Sequence, residues 1–277
     1  MAACFNKFRS LELGKTIQRW SLFALLLLLA GFSSKAQVIK INPINSSLSK
    51  EDEAYFSKIA AFEVKFFNAV FSTQKNDSVH VNVDLFGKHK EYDALQTKAI
   101  NTTFIDGFYS PSNNKVVVYK SDRYMSVMIH ETSHCILEHN YRNSPRWLNE
   151  GVATLFSNLV LQNGEVYYTK NLGNINLVKD MIYDGTFNLK SFFNYNVGDF
   201  YDKEKRPYVY AVSYDIIYFL VNFDIDYLQR TLVLMQQGYS TMDAFDKVFG
   251  GFDKFEKRFK DFYKPQPGYR AHLFNYN

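Results

Sequence analysis

Two histidines in the segment His130-Glu131-Thr132-Ser133-His134 are spaced so that a helix would bring both to one side. In an α-helix, residues four apart differ by about 40° around the axis and about 6 Å along it, so both imidazoles can bind one metal ion. Glu131 is turned by about 100° from His130, so its carboxylate can reach a water molecule on that ion without being a ligand. Apolar residues at helical spacing across Asp122–His139 predict the required helix. The alternative is a solvated helix face that carries two surface histidines.

A third ligand is expected from the helix that follows. Ser144-Pro145 is typical of a helix start, with Ser as N-cap and Pro at the first helical position. Glu150 lies near the start of that helix, with fifteen residues between it and His134. A helix, a turn and an antiparallel helix would return its carboxylate to the histidine pair. A catalytic zinc has three protein ligands and an open position for water. We therefore predict one Zn²⁺ per chain, and the alternative is a glutamate favoured only by the helix dipole.

The two motifs together resemble the gluzincins, which are zinc peptidases with a thermolysin-like catalytic core and a glutamate as third ligand. The likeness is carried by His130-Glu131-x-x-His134 and by Pro145–Ala153, and it spans about residues 79–223. It is greatest for small exported proteins of the peptidase-MA-like type. The resemblance implies that His130, His134 and Glu150 bind zinc and that Glu131 is the general base.

The sequence also departs from that family. Thermolysin has an aspartate one turn after its ligand glutamate, and Thr154 stands at this position here. The aminopeptidase branch carries a Gly-x-Met-Glu-Asn type motif for the free amine of its substrate, and no segment of this sequence matches it. The missing motif disfavours an aminopeptidase, and the choice between an endopeptidase and an exopeptidase stays open.

A tyrosine is expected to complete the site. Peptide hydrolysis passes through a tetrahedral oxyanion, which a hydrogen-bond donor can stabilise. The segment Tyr208–Tyr214 resembles the family helix that supplies a tyrosine three residues before a small residue. Tyr210, followed by Ser213, fits that pattern. Tyr214 is the second candidate, and packing alone is the alternative for either side chain.

The sequence predicts an α+β fold in two lobes, with the zinc cleft between them. Residues from about 45 to 140 form a lobe with a small mixed sheet that ends in the active-site helix, and residues from about 141 to 277 form a helical lobe. The predicted strands are Val79–Leu85, Thr102–Tyr109 and Lys115–Tyr119. The turn residues 110–114 predict that the last two form a hairpin. The strand Lys115–Tyr119 could bind an extended peptide by strand addition. Besides the two site helices, the predicted helices are Glu51–Phe71, Tyr92–Ile100, Pro207–Phe223, Asp226–Gln236, Thr241–Phe249 and Phe252–Phe262.

Residues 1–36 are predicted to be a signal peptide, followed by a single domain from 37 to 277. A basic stretch precedes the apolar run Trp20–Phe32, and Ser34-Lys35-Ala36 is typical of a cleavage site. The run has 13 residues, too few for the roughly 20 of a membrane-spanning helix. We therefore expect an exported protein, periplasmic or secreted, with no stable membrane span after cleavage.

Charge excludes one class of partner. The formal net charge of +4 falls entirely within residues 1–36, where five basic residues face one acidic residue. The remainder is neutral overall and has no broad basic surface for nucleic acid. We predict an exported zinc-dependent peptidase that hydrolyses peptide or protein substrates with a zinc-bound water and Glu131 as general base. The alternatives are a non-catalytic exported zinc-containing binding protein and an aminopeptidase, and the oligomeric state stays open.

Overall fold

The computed structural model describes residues 38–100 and 105–264. The predicted signal peptide, residues 1–36, lies outside the described residues. Within the described ranges the chain is α+β, as predicted, with a small mixed sheet followed by a helical half. No helix in these ranges is long and apolar enough to cross a bilayer.

Four strands form the mixed sheet, in the order β1-β2-β4-β3. Their bounds are Val38–Ile44 (β1), His80–Phe86 (β2), Gly107–Ser110 (β3) and Lys115–Tyr119 (β4). β1, β2 and β4 run parallel, and β3 pairs antiparallel with β4 as the predicted hairpin. The sheet therefore begins at Val38, ahead of the predicted start near residue 45. Because β4 is paired on both sides, the edge strands of the sheet are β1 and β3, and the prediction that β4 could add a peptide strand is wrong.

Three helices accompany the sheet. They are α1 (Lys50–Val70), α2 (His89–Ile100) and α3 (Tyr124–Asn140). Ser49 caps α1, because its hydroxyl accepts a hydrogen bond of 3.0 Å from the backbone N–H of Asp52. α3 packs against α1 on one side and against β3 and β4 on another, which anchors the helix that carries the histidine pair.

The second half is helical apart from one hairpin. Its helices are α4 (Arg146–Phe156), α5 (Leu172–Tyr183), α6 (Leu189–Phe193), α7 (Val197–Tyr201), α8 (Arg206–Phe223), α9 (Ile225–Gln236), α10 (Thr241–Phe249) and α11 (Phe252–Tyr263). Strands β5 (Leu159–Gln162) and β6 (Glu165–Tyr168) form the hairpin. α8 is the central helix, with buried residues along most of its length, and stacked phenylalanines from α10 and α11 surround its C-terminal half.

Gly151 allows the backbones of α4 and α8 to come into direct contact. A Cβ atom at this position would lie 2.4 Å from the carbonyl oxygen of Ser213 and 2.8 Å from Cγ1 of Ile217. A glycine is therefore required where the two helices cross. The contact fixes Glu150, the preceding residue, relative to the segment of α8 that contains Tyr210.

We expect Gly151→Ala to lower the free energy of unfolding by about 1–3 kcal/mol, because the added methyl group must displace backbone atoms. Urea denaturation monitored by circular dichroism would measure the loss. Gly173→Ala is the matched control, since a Cβ there meets only the Asn171 side chain at 3.5 Å. That change should be neutral or stabilising by up to about 1 kcal/mol. Equal stability of the Gly151 and Gly173 variants would show that the close crossing does not constrain the fold.

Candidate metal centre

α3 presents His130 and His134 on one face, as the four-residue spacing predicts. Their ring centroids are 4.7 Å apart and the rings are nearly perpendicular. The opposite face of α3 is buried in the core through Met128, Ile129 and Ile136. Burial of that face fixes the rotation of α3, so the two imidazoles point toward α4.

Glu150 on α4 completes a cluster with the two histidines. Its Oε2 lies 3.5 Å from Nε2 of His130 and 3.8 Å from Nε2 of His134. One donor atom from each of the three residues lies within 4.8 Å of the others. In a tetrahedral zinc site with bonds of about 2.0–2.2 Å, donor atoms are about 3.4 Å apart. The three residues predicted to be ligands are therefore within metal-binding distance of one another.

The helix that carries Glu150 begins one residue later than predicted. Pro145 is extended, with φ −55° and ψ 143°, so it is the N-cap, and Arg146 is the first helical residue. Ser144 does not cap the helix with its side chain. Its hydroxyl instead accepts a hydrogen bond of 3.1 Å from Nδ2 of Asn149. The shift does not move Glu150 away from the histidine pair.

Glu150 is in the ionised form that a metal ligand requires. Burial raises the pKa of its carboxyl, but His134, His130 and Arg146 more than offset that effect and hold the pKa at about 2. Oε2 is buried and has no hydrogen-bond partner among the described residues. A buried carboxylate oxygen without a partner lowers the stability of the folded state, because its lost hydration is not replaced, unless a cation binds it. The Glu150 oxygen that faces both imidazoles is thus suited to a cation.

The two histidines differ in their affinity for a proton. Burial lowers the pKa of His134 to about 4, so its imidazole is neutral at pH 7 and has a free lone pair. Burial also lowers the pKa of His130, but Glu150 and Glu131 outweigh that effect, and the net pKa is raised. The negative charge around His130 that attracts a proton would equally attract a metal cation.

Glu131 lies beside the cluster but outside the ligand set. Burial raises the pKa of its carboxyl to about 7, against the lowering effects of the His130 charge and the backbone amide of Tyr109. A pKa near the working pH suits a group that both takes and returns a proton. The contact with Tyr109 also places the carboxyl next to β3, an edge strand of the sheet.

The structure separates the two candidate tyrosines. Tyr210 is half-buried, and burial together with the nearby Glu150 and Glu131 raises the pKa of its phenol, which therefore stays protonated. Tyr214 is fully buried, and its hydroxyl accepts a hydrogen bond of 3.0 Å from the backbone N–H of Asn171. Tyr210 is thus the tyrosine that lies near the cluster, whereas the Tyr214 hydroxyl anchors the backbone immediately before α5.

Sequence reasoning did not single out Arg146. Its Nη1 lies 3.6 Å from Oε1 of Glu150, and its Nη2 donates a hydrogen bond of 2.9 Å to the hydroxyl of Tyr201. The guanidinium thus pairs with Oε1 of Glu150, whereas Oε2 faces the two histidines. A cation four residues before a glutamate on one helix is a recognisable pair, so the spacing alone could have identified it. Thr154, one turn after Glu150, has a buried hydroxyl with no partner in the described part of the chain.

No protein-family model matches the chain, and no curated protein matches it.

Proposed function

We propose that the protein is a zinc-dependent peptidase whose ion is held by His130, His134 and Glu150. The observation that carries this proposal is the combination of a three-residue cluster with a separate buried carboxyl, Glu131, whose pKa is about 7. A site that only binds a metal has no use for such a carboxyl. A hydrolase needs it as a general base.

The donor set favours zinc among common metals. Two imidazole nitrogens and one carboxylate oxygen form a three-ligand set typical of catalytic zinc, which leaves a position for water or substrate. Mg²⁺ and Ca²⁺ prefer sites made mainly of oxygen ligands. When bound, zinc would supply Lewis acidity toward a carbonyl oxygen and toward water.

The chain's own residues account for the proton transfers. The Glu131 carboxylate would take a proton from the attacking water and then deliver it to the nitrogen of the leaving amine. The protonated phenol of Tyr210 would donate a hydrogen bond to the oxyanion that forms from the scissile carbonyl. Arg146 would keep Oε1 of Glu150 occupied, so that Oε2 remains available to the ion.

The edge strand β3 is the proposed docking strand for a peptide. β3 pairs only with β4, so its outer backbone groups can form a ladder with an extended chain. Because Tyr109 on β3 contacts Glu131, a peptide added at this edge would pass next to the general base.

Metal analysis of the purified protein, combined with cleavage of a broad peptide library, tests the proposal. We expect about one zinc per chain and cleavage that stops on addition of a chelator and returns with zinc. The library should include blocked and free N-termini, which separates an endopeptidase from an aminopeptidase. Zinc binding without cleavage of any peptide would favour the binding-protein alternative.

Tyr210→Phe should lower kcat by on the order of 10²-fold while KM and zinc content change little, because the lost hydrogen bond forms mainly in the transition state. Steady-state kinetics on a peptide found in the library screen would measure the change. Tyr214→Phe is the control one turn along α8. It should cost about 1–3 kcal/mol of stability, since the N–H of Asn171 loses its acceptor, but leave kcat near the wild-type value. The reverse pattern would assign the oxyanion role to Tyr214.

We also propose that the protein is exported and loses residues 1–36. The support is the basic stretch, the 13-residue apolar run and the small residues before Gln37. Intact mass spectrometry of the protein recovered outside the cytoplasm should give a chain that begins at Gln37. Recovery of exported protein that retains Met1 would contradict the proposal.

A further inference from the structure

Glu63 on α1 and Ser133 on α3 form a buried polar contact between the two helices. Glu63 is 0% exposed and Ser133 is 1% exposed. Oε2 of Glu63 lies 3.0 Å from Oγ of Ser133. The contact is near the middle of both helices, and Ser133 immediately precedes the candidate ligand His134. The proposed peptidase mechanism does not use this carboxyl group.

The hydrogen-bond geometry indicates which group carries the proton. Oγ of Ser133 also lies 3.0 Å from the backbone carbonyl oxygen of Ile129. A hydroxyl has one proton to donate, but it can also accept a hydrogen bond. Both contacts are hydrogen bonds when Ser133 donates to the carbonyl of Ile129 and a protonated Glu63 carboxyl donates to Ser133.

The surroundings of Glu63 favour the same neutral form. Its Oε1 is buried and has no hydrogen-bond partner among the described residues. An ionised carboxylate in that position would lose its hydration without replacement. Burial raises the pKa of this carboxyl well above its usual range, and among the described residues only the hydrogen bond with Ser133 opposes that effect. Burial also raises the pKa of the neighbouring Cys135 thiol to about 12, so that group is neutral as well.

The contact bears on the geometry of the metal centre. Apolar side chains of α3, such as Ile129 and Ile136, fix which face of the helix is buried, but apolar contacts are not directional. A hydrogen bond at Ser133 is directional and holds the helix at one point along its axis. Glu131 and His134 flank this point, so a shift of α3 would move both. A displacement of about 1 Å can cost a catalytic site about 10²-fold in rate.

We propose that Glu63 is a positioning residue for the metal centre: as a neutral acid it donates a hydrogen bond to Ser133 and so holds the segment of α3 that carries Glu131 and His134. The proposal rests on the proposed zinc site for the identity of the group that is positioned. It adds a residue from α1, distant in sequence from both site helices.

Infrared difference spectroscopy of the metal-free full chain at pH 7 tests the protonation state. We expect the spectrum of wild type minus Glu63→Gln to contain the carbonyl band of a protonated carboxylic acid, shifted in D₂O. Glu53→Gln is the matched control, since Glu53 is an exposed glutamate on the same helix. Its difference spectrum should contain the bands of an ionised carboxylate instead. Carboxylate bands in the Glu63 difference spectrum would overturn the proposal.

Zinc affinity, measured by competition with a chromogenic chelator, tests the positioning role. Glu63→Gln keeps an N–H donor for Ser133 and should bind zinc about as tightly as wild type. Glu63→Leu has no donor and should bind zinc about 10–100-fold more weakly, the range for loss of a group that supports a ligand. Ser133→Ala removes the acceptor and should show the same loss, which keeps the test available if Glu63→Leu does not fold.

Wild-type zinc affinity in folded Glu63→Leu and Ser133→Ala would overturn the positioning role. An equal loss of affinity in Glu63→Gln and Glu63→Leu would also overturn it, since the retained donor would then have no effect. These measurements do not require turnover. The expected order of affinities in a protein that cleaves no peptide supports the role of Glu63 and contradicts the peptidase function. Peptide cleavage with unchanged zinc affinity in the variants contradicts the role of Glu63 and leaves the peptidase function standing.

Discussion

His134→Ala should abolish stoichiometric zinc binding. The Nε2 of His134 lies 3.8 Å from Oε2 of Glu150, and its neutral imidazole is one of only three donors in the cluster. Loss of a side chain that merely supports a ligand typically weakens metal affinity by about 10–100-fold. Loss of a ligand should cost more, so zinc should fall far below one ion per chain after dialysis against a weak chelator. Plasma mass spectrometry of the dialysed protein measures the metal content.

His139→Ala is the control for this experiment. His139 lies on the same helix, five residues after His134, and is exposed to solvent. Its replacement should leave the zinc content unchanged. Full zinc retention by His134→Ala would place the metal site elsewhere in the protein.

Glu131→Gln should retain zinc and lower kcat by about 10²–10⁴-fold, the range expected for loss of a general base. Glutamine keeps the size and shape of the side chain but cannot accept the proton of water. Metal analysis and peptide cleavage on the same preparation would separate the two effects. Wild-type turnover in a zinc-loaded Glu131→Gln protein would exclude the proposed mechanism.

The same substitution should stabilise the metal-free protein at high pH. In the folded chain the pKa of Glu131 is raised from 4.5 to about 7. A raised carboxyl pKa means that the folded state binds the proton more tightly than the unfolded state. The stability that this provides is present below pH 4.5 and is lost as the pH rises through 7. Glu131→Gln removes this contribution to the pH dependence, so the stability of the variant relative to wild type should be about 3 kcal/mol greater at pH 8 than at pH 4. Denaturation at the two pH values, with a chelator present, measures the difference.

The helices that carry the candidate site could be predicted from local sequence. Apolar periodicity predicted α3 to within two residues of its observed bounds, and Ser144-Pro145 predicted the start of α4 to within one residue. The turn-rich segment 110–114 gave the β3–β4 hairpin. These elements are determined mainly by neighbours in the chain, so a periodic pattern is sufficient to find them.

Other elements depend on distant partners or are too short for a periodic pattern. β1 is defined by parallel pairing with β2, in which Ile39 faces Val81 across about 40 residues of chain. The helices α6 and α7 have five residues each. The β5–β6 hairpin did carry a local signal, because Asn163 and Gly164 both adopt positive φ, as a tight two-residue turn requires. That hairpin could have been predicted from the Asn-Gly pair alone.

The assembly of the site is a tertiary property. The sequence indicated that the Glu150 carboxylate would lie near the two histidines. It did not indicate that the Arg146 guanidinium would pair with the second oxygen of that carboxylate. It left Tyr210 and Tyr214 as alternatives, and the three-dimensional arrangement places only Tyr210 near Glu150. That arrangement depends on the crossing of α4 and α8 at Gly151, which no local pattern encodes.

The anchoring of the ligand helices separates metal binding from folding. α3 is fixed by its contacts with α1 and the sheet, and α4 is fixed by its backbone contact with α8. Each helix is buried independently of the three donor atoms, so a metal ion would enter a site that is already built. Small zinc domains, by contrast, use the ion to fold at all. If the proposed zinc ion is bound, we therefore expect its affinity to change through the ligands without loss of the fold, and its removal by a chelator to be reversible.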